Sequence, residues 1–216
     1  MQERNRWRKL SDEVFGIMKR LDMDAVEVQI VLQCAPILTG IKMSNLLHVR
    51  AEQASEVFHM FEDSPVSCHV LYEWNGRVSI LLYRKASLER YLKQGSVQRL
   101  MESFGCRDME LEEILEILTV RNQAYVEGKA SYPHEVGLVL GYPPEDVQGF
   151  IEHGGRDYVL SGYWKVYGDP VRAQRIFAAY DRARDAGIRL AGKGFSVMDI
   201  MASYNIMKRR QLVAQI

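Results

Sequence analysis

The sequence predicts an α+β fold, in which a mostly helical single domain carries a small antiparallel β element. Apolar residues recur three and four positions apart through most of the 216-residue chain, as in helices buried on one face. Two runs of residues that favour strands flank Asn75-Gly76, which is the strongest short-range signal for a β-hairpin. With 47% hydrophobic residues, the chain has enough apolar surface for one core. We therefore expect one domain at residues 1–190 and a C-terminal helical extension at residues 191–216.

Two helices and a loop are predicted before the hairpin. Residues 5–20 carry apolar side chains on one helical face, so we expect an amphipathic helix there. A second helix is expected at residues 24–34, ending before Pro36, because the residue preceding a proline avoids the helical region. Residues 36–49 mix β-branched residues with a glycine and predict a loop or short strand, whereas residues 50–61 again predict a helix.

The hairpin is predicted at residues 66–84. Both residues of its Asn75-Gly76 turn must adopt positive φ, which these residue types tolerate. The register then places Trp74 opposite Arg77, where the indole and the guanidinium can stack. Because an isolated hairpin is only marginally stable, we expect this one to pack on helices or to pair with another strand.

Helices are predicted on both sides of a segment rich in Pro and Gly at residues 131–169. Asp169-Pro170 predicts the start of a long helix that ends near Ala186, since aspartate caps helices and proline is tolerated at their first position. Ser196 predicts the start of a final helix that runs to about residue 211. Before the segment, apolar spacing predicts helices at residues 86–94, 95–104 and 108–127.

The segment at 131–169 itself predicts two short helices joined by Gly-Tyr-Pro. We expect the first to run from Pro133 to Gly141, where glycine suits a left-handed helix end. The second is expected to begin at Pro144, a favoured first helical residue, and to end at Gly154.

The spacing of this helix pair also resembles a DNA-binding helix-turn-helix, but its charges oppose that function. Residues 132–155 contain four acidic residues and no Lys or Arg, so a recognition helix here would repel phosphate groups. Over the whole chain, 28 Lys and Arg residues balance 28 Asp and Glu residues. We therefore predict neither a nucleic acid nor an anionic membrane as the partner.

His134 is the candidate catalytic or ligating residue of this segment. In the first turn of the predicted helix, the positive end of the helix dipole would keep its imidazole neutral. A neutral imidazole can act as a base, as a metal or haem ligand, or as a hydrogen-bonding core residue, and the sequence leaves these roles open. Glu135 lies in the same predicted turn, where a carboxylate is favoured.

Residues 162–168 alternate in a way that predicts a short strand. Tyr163, Lys165 and Tyr167 would share one face, with Trp164 on the other. A lysine between two tyrosines suits an anionic or aromatic ligand. It equally suits a lysine whose stem covers the edge of an apolar core.

The predicted loop at residues 34–45 places Cys34 and Lys42 near one another. Together with His134, Cys34 suggests a cysteine nucleophile with a histidine base. The position of Cys34 at the end of a predicted helix favours the neutral thiol instead, and therefore a buried structural cysteine.

The cysteine pattern and the absence of long apolar runs predict a cytoplasmic protein. The three cysteines are widely spaced and odd in number, so neither a disulfide framework nor a zinc site is expected. No apolar stretch follows the charged start of the chain, and no window approaches the roughly 18 apolar residues of a membrane span.

One stretch resembles a known family. The run PHEVGLVLGYPPEDVQGFIEHGG, followed by GYWKVYGD, is similar to a domain of unknown function in uncharacterised proteins of anaerobic Gram-positive bacteria. The run beginning Cys34-Ala-Pro resembles that family's N-terminal motif, and the resemblance covers roughly residues 25–185. It implies an intracellular protein encoded near flavodoxin-like and iron-uptake genes, and therefore a link to iron limitation or low-potential electron transfer. It assigns no activity and no residue roles.

We therefore expect a cytosolic ligand-binding protein or a redox- or iron-linked accessory protein, with no cofactor specified. Its site would join the 34–45 loop, His134-Glu135 and residues 163–165, with Tyr142 beside them. One alternative is a cysteine-dependent enzyme that uses Cys34 with His134. Another is a module that binds an acidic, flavodoxin-like redox protein through basic residues near the two ends of the chain, namely Arg4, Arg6, Arg8, Lys9, Lys208, Arg209 and Arg210.

Overall fold

The computed structural model describes residues 10–204 and has the predicted α+β fold. Its strands are β1 (Ser44–Arg50), β2 (Ser67–Trp74), β3 (Arg77–Tyr83), β4 (Leu160–Ser161) and β5 (Lys165–Val166). Its helices are α1 (Asp12–Met18), α2 (Val26–Leu38), α3 (Ala54–Phe61), α4 (Lys85–Leu92), α5 (Gly95–Ser103), α6 (Leu111–Val126), α7 (Val136–Val139), α8 (Pro144–Glu152) and α9 (Pro170–Ala191), with a 3₁₀ turn at Ala51–Gln53 and further helical residues at 197–204. None of the helices between residues 10 and 204 is long and apolar enough to cross a membrane.

The chain forms two compact units. The first consists of the described residues of Met1–Lys42 and Ala178–Ile216, and the second is Met43–Phe177. The division of the chain into a domain at 1–190 and an extension at 191–216 stays a prediction.

In the first unit, α1 and α2 pack against the C-terminal half of α9. Val31 of α2 approaches Gly187 so closely that a Cβ there would lie 3.1 Å from its methyl group. Ile17 of α1 contacts Gly192 in the same way. Within the described part of the helix predicted at residues 5–20, α1 runs from Asp12 to Met18, and Ser11 caps it by accepting a hydrogen bond from the Val14 amide.

The predicted end of the second helix is wrong, since α2 continues through Pro36 to Leu38. Every residue from Cys34 to Leu38 is buried. Burial of this apolar stretch outweighs the local penalty of a proline near a helix end. The Pro36 carbonyl then accepts hydrogen bonds from the Ile41 and Lys42 amides and closes the turn. Residues 34–38 are therefore helical, and the loop begins after them.

The second unit is built on a three-stranded antiparallel sheet of order β1-β3-β2. The predicted hairpin is confirmed: Trp74 pairs with Arg77, and Asn75 and Gly76 have φ of 51° and 70°. The strand alternative for residues 36–49 holds for its second half, because β1 pairs along its whole length with β3. The helix predicted at residues 50–61 is present as the 3₁₀ turn and α3.

Helix α6 covers the outer edge of β2 with polar side chains. Thr119 donates to the Val70 carbonyl at 2.9 Å, and Gln123 accepts from the Glu73 amide at 3.2 Å. The His69 ring nitrogen Nε2 lies 2.8 Å from the Thr119 hydroxyl. These bonds satisfy backbone groups that an open sheet edge would expose to another strand.

His69 makes the stability of this edge sensitive to acid. Burial lowers the pKa of His69 and outweighs the Leu115 carbonyl and the Glu116 charge, which act in the opposite sense. As the pH falls through about 6.5, the unfolded chain takes up this proton before the folded protein does, so the free energy of unfolding falls. We expect the His69→Gln variant to lose less unfolding free energy than the parent protein between about pH 7 and pH 5, as measured by urea unfolding. Equal losses in both proteins would contradict this role.

The core of the second unit lies between the sheet and α4 to α8. Its fully buried centre consists of Leu71, Leu81, Leu88, Val97, Leu118, Leu138 and Val139. Ser44 of β1 donates a hydrogen bond to the Val139 carbonyl and so links the sheet to the 131–169 segment. The 131–169 segment therefore packs directly on the sheet.

The 131–169 segment contains the predicted pair of helices, but the first is shorter than expected. Only Val136–Val139 is α-helical. The turn before it is held by a hydrogen bond from the Val136 amide to the Pro133 carbonyl, three residues earlier. His134 therefore lies before the helix rather than in its first turn, and a four-residue helix gives the dipole argument little force. Gly141 has φ of 76° and forms the predicted left-handed end. Pro144 begins α8 as predicted, and Gly154 follows its end with φ of 57°.

Two further boundaries differ from the sequence prediction. The strand expected at residues 162–168 is reduced to the two residues of β5, which pair with β4. The helix expected to end near Ala186 continues to Ala191. Its predicted cap is present, since Asp169 accepts from the Val171 and Arg172 amides.

The final helix has its predicted cap as well. Ser196 accepts from the Asp199 amide, and Asp199 accepts in return from the Ser196 amide. The predicted portion after residue 204 lies outside the described residues, as do residues 5–9 of the first predicted helix. The basic residues proposed to bind an acidic partner lie there too, so that binding role stays a prediction.

Candidate functional site

The predicted site residues are divided between the two units. Cys34 and Lys42 belong to the first. The others belong to the second, namely His134, Glu135, Tyr142, Tyr163, Trp164 and Lys165. The composite site that would join the 34–45 loop to the other two segments stays a prediction.

Cys34 and Lys42 are both buried in the first unit. The Cys34 side chain is fully enclosed inside α2, rather than at a helix end. Lys42 follows the helix, and its Nζ lies 5.7 Å from the centre of the Tyr180 ring, within range of a cation–π interaction. An enclosed thiol is shielded from substrate, so this geometry suits a structural role for Cys34. Its use as a nucleophile stays a prediction.

In the second unit, Asp146 organises the segment that contains Trp164. One carboxylate oxygen of Asp146 accepts from the Trp164 indole at 2.7 Å. The other accepts from the Tyr167 amide at 2.7 Å and from the Gly168 amide at 2.8 Å. The Trp164 ring also stacks on Tyr142, with 5.2 Å between ring centres. Trp164 and Tyr142 are therefore in contact with each other, but Trp164 is buried and its indole N–H already donates to Asp146.

Glu135 is held by an arginine. Its carboxylate is 3% exposed and forms an ion pair with the Arg121 guanidinium. Arg121 also contacts the buried Cys106 thiol, where burial outweighs the arginine and raises the pKa of Cys106. An ion pair in this position ties α6 to the start of α7. It also occupies the carboxylate that the sequence suggested for ligand binding.

His134 and Lys165 each contact the ring of Phe150. The imidazole centre lies 5.7 Å from the centre of the Phe150 ring, and Lys165 Nζ lies 5.5 Å from the same ring. Two residues predicted from separate segments are thus brought to one place. Tyr163 is not part of this contact, because its ring lies against Phe177 at 5.6 Å.

Three tyrosines extend this contact along the surface. Tyr132 lies edge-on to His134 at 5.5 Å and to Tyr125 at 5.1 Å. At the other end, Lys165 Nζ lies 5.1 Å from the Tyr158 ring. Each tyrosine is more than 40% exposed. We call the set the aromatic surface, and it consists of Tyr125, Tyr132, His134, Phe150, Tyr158 and Lys165.

Lys165 is fixed within the aromatic surface. It is half-buried between Phe150 and Tyr158, and its ammonium donates to the Gly155 carbonyl at 2.5 Å. Gly155 suits this place because its φ is 72° and an added Cβ would lie 3.0 Å from the Phe150 ring. An ammonium has three donors, and the carbonyl uses one.

The phenol of Tyr132 is an uncharged hydrogen-bonding group at the centre of this surface. Burial of the hydroxyl end, together with the neighbouring phenols of Tyr142, Tyr72 and Tyr125, raises the pKa of Tyr132. Tyr132 therefore keeps its proton throughout the physiological range. The surface thus combines the neutral phenol of Tyr132, several aromatic rings and the cation of Lys165.

Sequence reasoning missed several residues of this site. The sequence does not single out three of them, Phe150, Tyr132 and Tyr158, although all lie in the same 131–169 segment as His134. Asp146 is one of the acidic residues that oppose DNA binding and belongs to the family-like run, but the sequence assigns it no role in the site. Among the residues that the structure describes, no three His, Cys, Asp or Glu side chains come together in a way that could hold a metal ion.

Comparison with known proteins gives one match. The sequence profile of a protein family described as "Protein of unknown function (DUF3793)" matches residues 30–201, which is most of the chain. This agrees with the resemblance to an uncharacterised family that the sequence carries. No curated protein and no solved structure matches the chain.

Proposed function

Because the chain belongs to the family of proteins of unknown function DUF3793, whose description names no activity, we propose its function from geometry: it binds a planar anionic ligand at the aromatic surface. The observation that carries this proposal is that His134 and Lys165 both contact the Phe150 ring, while Tyr132 and Tyr158, which contact them, are exposed.

The charge of Lys165 supports an anion. Its ammonium is half-buried, and its contacts are two aromatic rings and the neutral Gly155 carbonyl. A cation with reduced hydration and remaining donors is favourably approached by a carboxylate or a phosphate. The lysine itself occupies the space between the rings, so a cationic ligand is disfavoured there.

The rings support a planar group. Tyr132 contacts both Tyr125 and His134 edge-on, which fixes the orientation of these rings before any ligand arrives. Exposed aromatic side chains lose little conformational entropy on binding, and their faces stack on flat ligands. A flavin mononucleotide has both features, a flat ring system and a phosphate. With that ligand, the protein would act as a redox accessory, in line with the link to low-potential electron transfer that the family resemblance implies.

The test compares flavin mononucleotide with riboflavin, which has the same ring system but no phosphate. We expect the fluorescence of flavin mononucleotide to be quenched when it binds. Lys165→Met should weaken this binding by about tenfold, because a charge-assisted hydrogen bond is lost. Riboflavin binding should change little in the same variant. Tyr132→Ala should weaken both flavins by about fivefold, since it removes a ring contact.

Two control variants keep the test specific. Lys165→Arg retains the charge and should retain most of the affinity for the mononucleotide. Lys85→Met removes an exposed lysine paired with Glu112, outside the aromatic surface, and should leave binding unchanged. Failure of both flavin mononucleotide and the smaller planar anion anilinonaphthalene sulfonate to bind below about 1 mM would contradict the proposal.

A further inference from the structure

A cavity separate from the aromatic surface opens between α3 and β2. Its volume is about 480 Å³, within the range of small-ligand sites. Phe58, Phe61, Val66 and Cys68 form its apolar lining, and His59 and Glu62 stand at its mouth. We refer to it as the α3–β2 cavity.

The inner wall of the α3–β2 cavity has no charged group. Phe61 and Val66 are buried, and the Ser64 hydroxyl near them is bonded to the backbone of Val66. Burial raises the pKa of Cys68 to about 12, so its thiol stays protonated. The wall therefore suits the apolar part of a ligand, and its thiol reacts only slowly.

The mouth of the cavity is acidic. The Glu62 carboxylate is largely exposed and lies 3.4 Å from the His59 ring. Residues 51–76 contain five acidic residues and no Lys or Arg. Of these acids, Glu62 is the one that lines the cavity, so the attraction for a cation is local and acts at its carboxylate.

We propose that the α3–β2 cavity binds a small organic cation, an aryl- or alkylammonium, with its apolar group inside and its ammonium at Glu62. The cavity size and the apolar lining select a compact hydrophobic group. The Glu62 carboxylate at the mouth selects a positive charge. The ligand of this cavity is therefore a cation, whereas the ligand proposed for the aromatic surface is an anion. The site is independent of the proposed flavin-binding function.

The test uses three probes of similar shape and different charge. We expect 2-phenylethylamine to bind with an affinity near 1 mM, as an order-of-magnitude estimate for a ligand of this size. The neutral 2-phenylethanol should bind about fivefold more weakly, and 3-phenylpropionate should show no binding at the same concentrations. Binding is followed by nuclear magnetic resonance titration.

Cys68 provides a readout at the site itself. Cys34 and Cys106 are buried, whereas Cys68 is half-buried, so slow alkylation by iodoacetamide and peptide mapping report on its access. The amine should slow this alkylation with the same concentration dependence as the titration. Alkylation unaffected by a saturating amine would overturn the proposal.

Two variants separate the charge from the apolar contact. Glu62→Gln should reduce amine binding to the level of the alcohol, while Glu56→Gln, an exposed acid of α3 that does not line the cavity, should not. Phe58→Ala should weaken the amine and the alcohol alike. Glu62 and Phe58 are exposed, so the thermal unfolding of the Glu62→Gln and Phe58→Ala variants should match that of the parent protein. Equal binding of amine and alcohol, or an unchanged affinity in Glu62→Gln, would rule out a cation site.

Discussion

Replacing Asp146 with alanine is expected to lower the free energy of unfolding by about 3–4 kcal/mol. The carboxylate is buried and accepts three hydrogen bonds, from the Trp164 indole and the amides of Tyr167 and Gly168. Removing it leaves the buried Trp164 indole and the half-buried Tyr167 amide without their acceptor, whereas the amide of the exposed Gly168 can turn to water. Each such loss has the full desolvation penalty of the donor rather than the smaller net value of a hydrogen bond.

The asparagine variant tests the same geometry more finely. Because one oxygen accepts both backbone amides, Asp146→Asn can keep those two bonds through its carbonyl oxygen. Its amide nitrogen then faces the Trp164 N–H, so two donors oppose each other. We expect a loss of about half that of the alanine variant, together with a change in Trp164 fluorescence.

Glu145 is the matched control for Asp146. It is the preceding residue in the first turn of α8, but it is exposed and lies 3.8 Å from Arg172. Glu145→Ala should therefore change stability by less than about 1 kcal/mol in urea unfolding. If Asp146→Ala and Glu145→Ala were equally stable, the carboxylate would not hold the 164–168 segment in place.

Local signals in the sequence predicted the elements whose geometry is set by neighbouring residues. Asn75-Gly76 fixed the hairpin register, and Asp169 and Ser196 cap the helices that they were expected to cap. The end of α2 was missed for a different reason. Pro36 opposes a helix locally, whereas the burial that favours it comes from residues distant in the chain.

The candidate site was harder to predict because its contacts join distant segments. Alternation within a strand placed Tyr163 and Lys165 on one face, but the strand is only two residues long. Lys165 meets Phe150, fifteen positions away, through a Gly-rich loop whose path depends on Gly154 and Gly155 at positive φ. The residue types drew attention to the 131–169 segment, whereas the contact between Lys165 and Phe150 within it followed only from the fold.

The ion pair between Arg121 and Glu135 yields the second large effect. Glu135 is 3% exposed, whereas the Arg121 side chain is 39% exposed. Removing the arginine leaves a buried carboxylate without its counter-charge, so Arg121→Leu should lower the free energy of unfolding by about 2–3 kcal/mol. This value is below that of a fully buried pair, since water already reaches the guanidinium.

The reverse change should be milder, and this asymmetry is the informative result. Glu135→Gln leaves a guanidinium that can turn to water, so we expect a loss of about 1 kcal/mol. The double variant Arg121→Leu/Glu135→Leu should be more stable than Arg121→Leu alone, because no buried charge remains. Equal losses in the two single variants would mean that the burial of Glu135 does not govern the pair.

The same variants decide whether Glu135 contacts the ligand. Glu135 precedes α7 beside His134, but its carboxylate is taken by Arg121. If the pair only supports the aromatic surface, Glu135→Gln should bind flavin mononucleotide within about twofold of the parent protein while losing stability. A carboxylate facing an anionic ligand would instead repel it, so tighter binding in Glu135→Gln would show that Glu135 reaches the ligand.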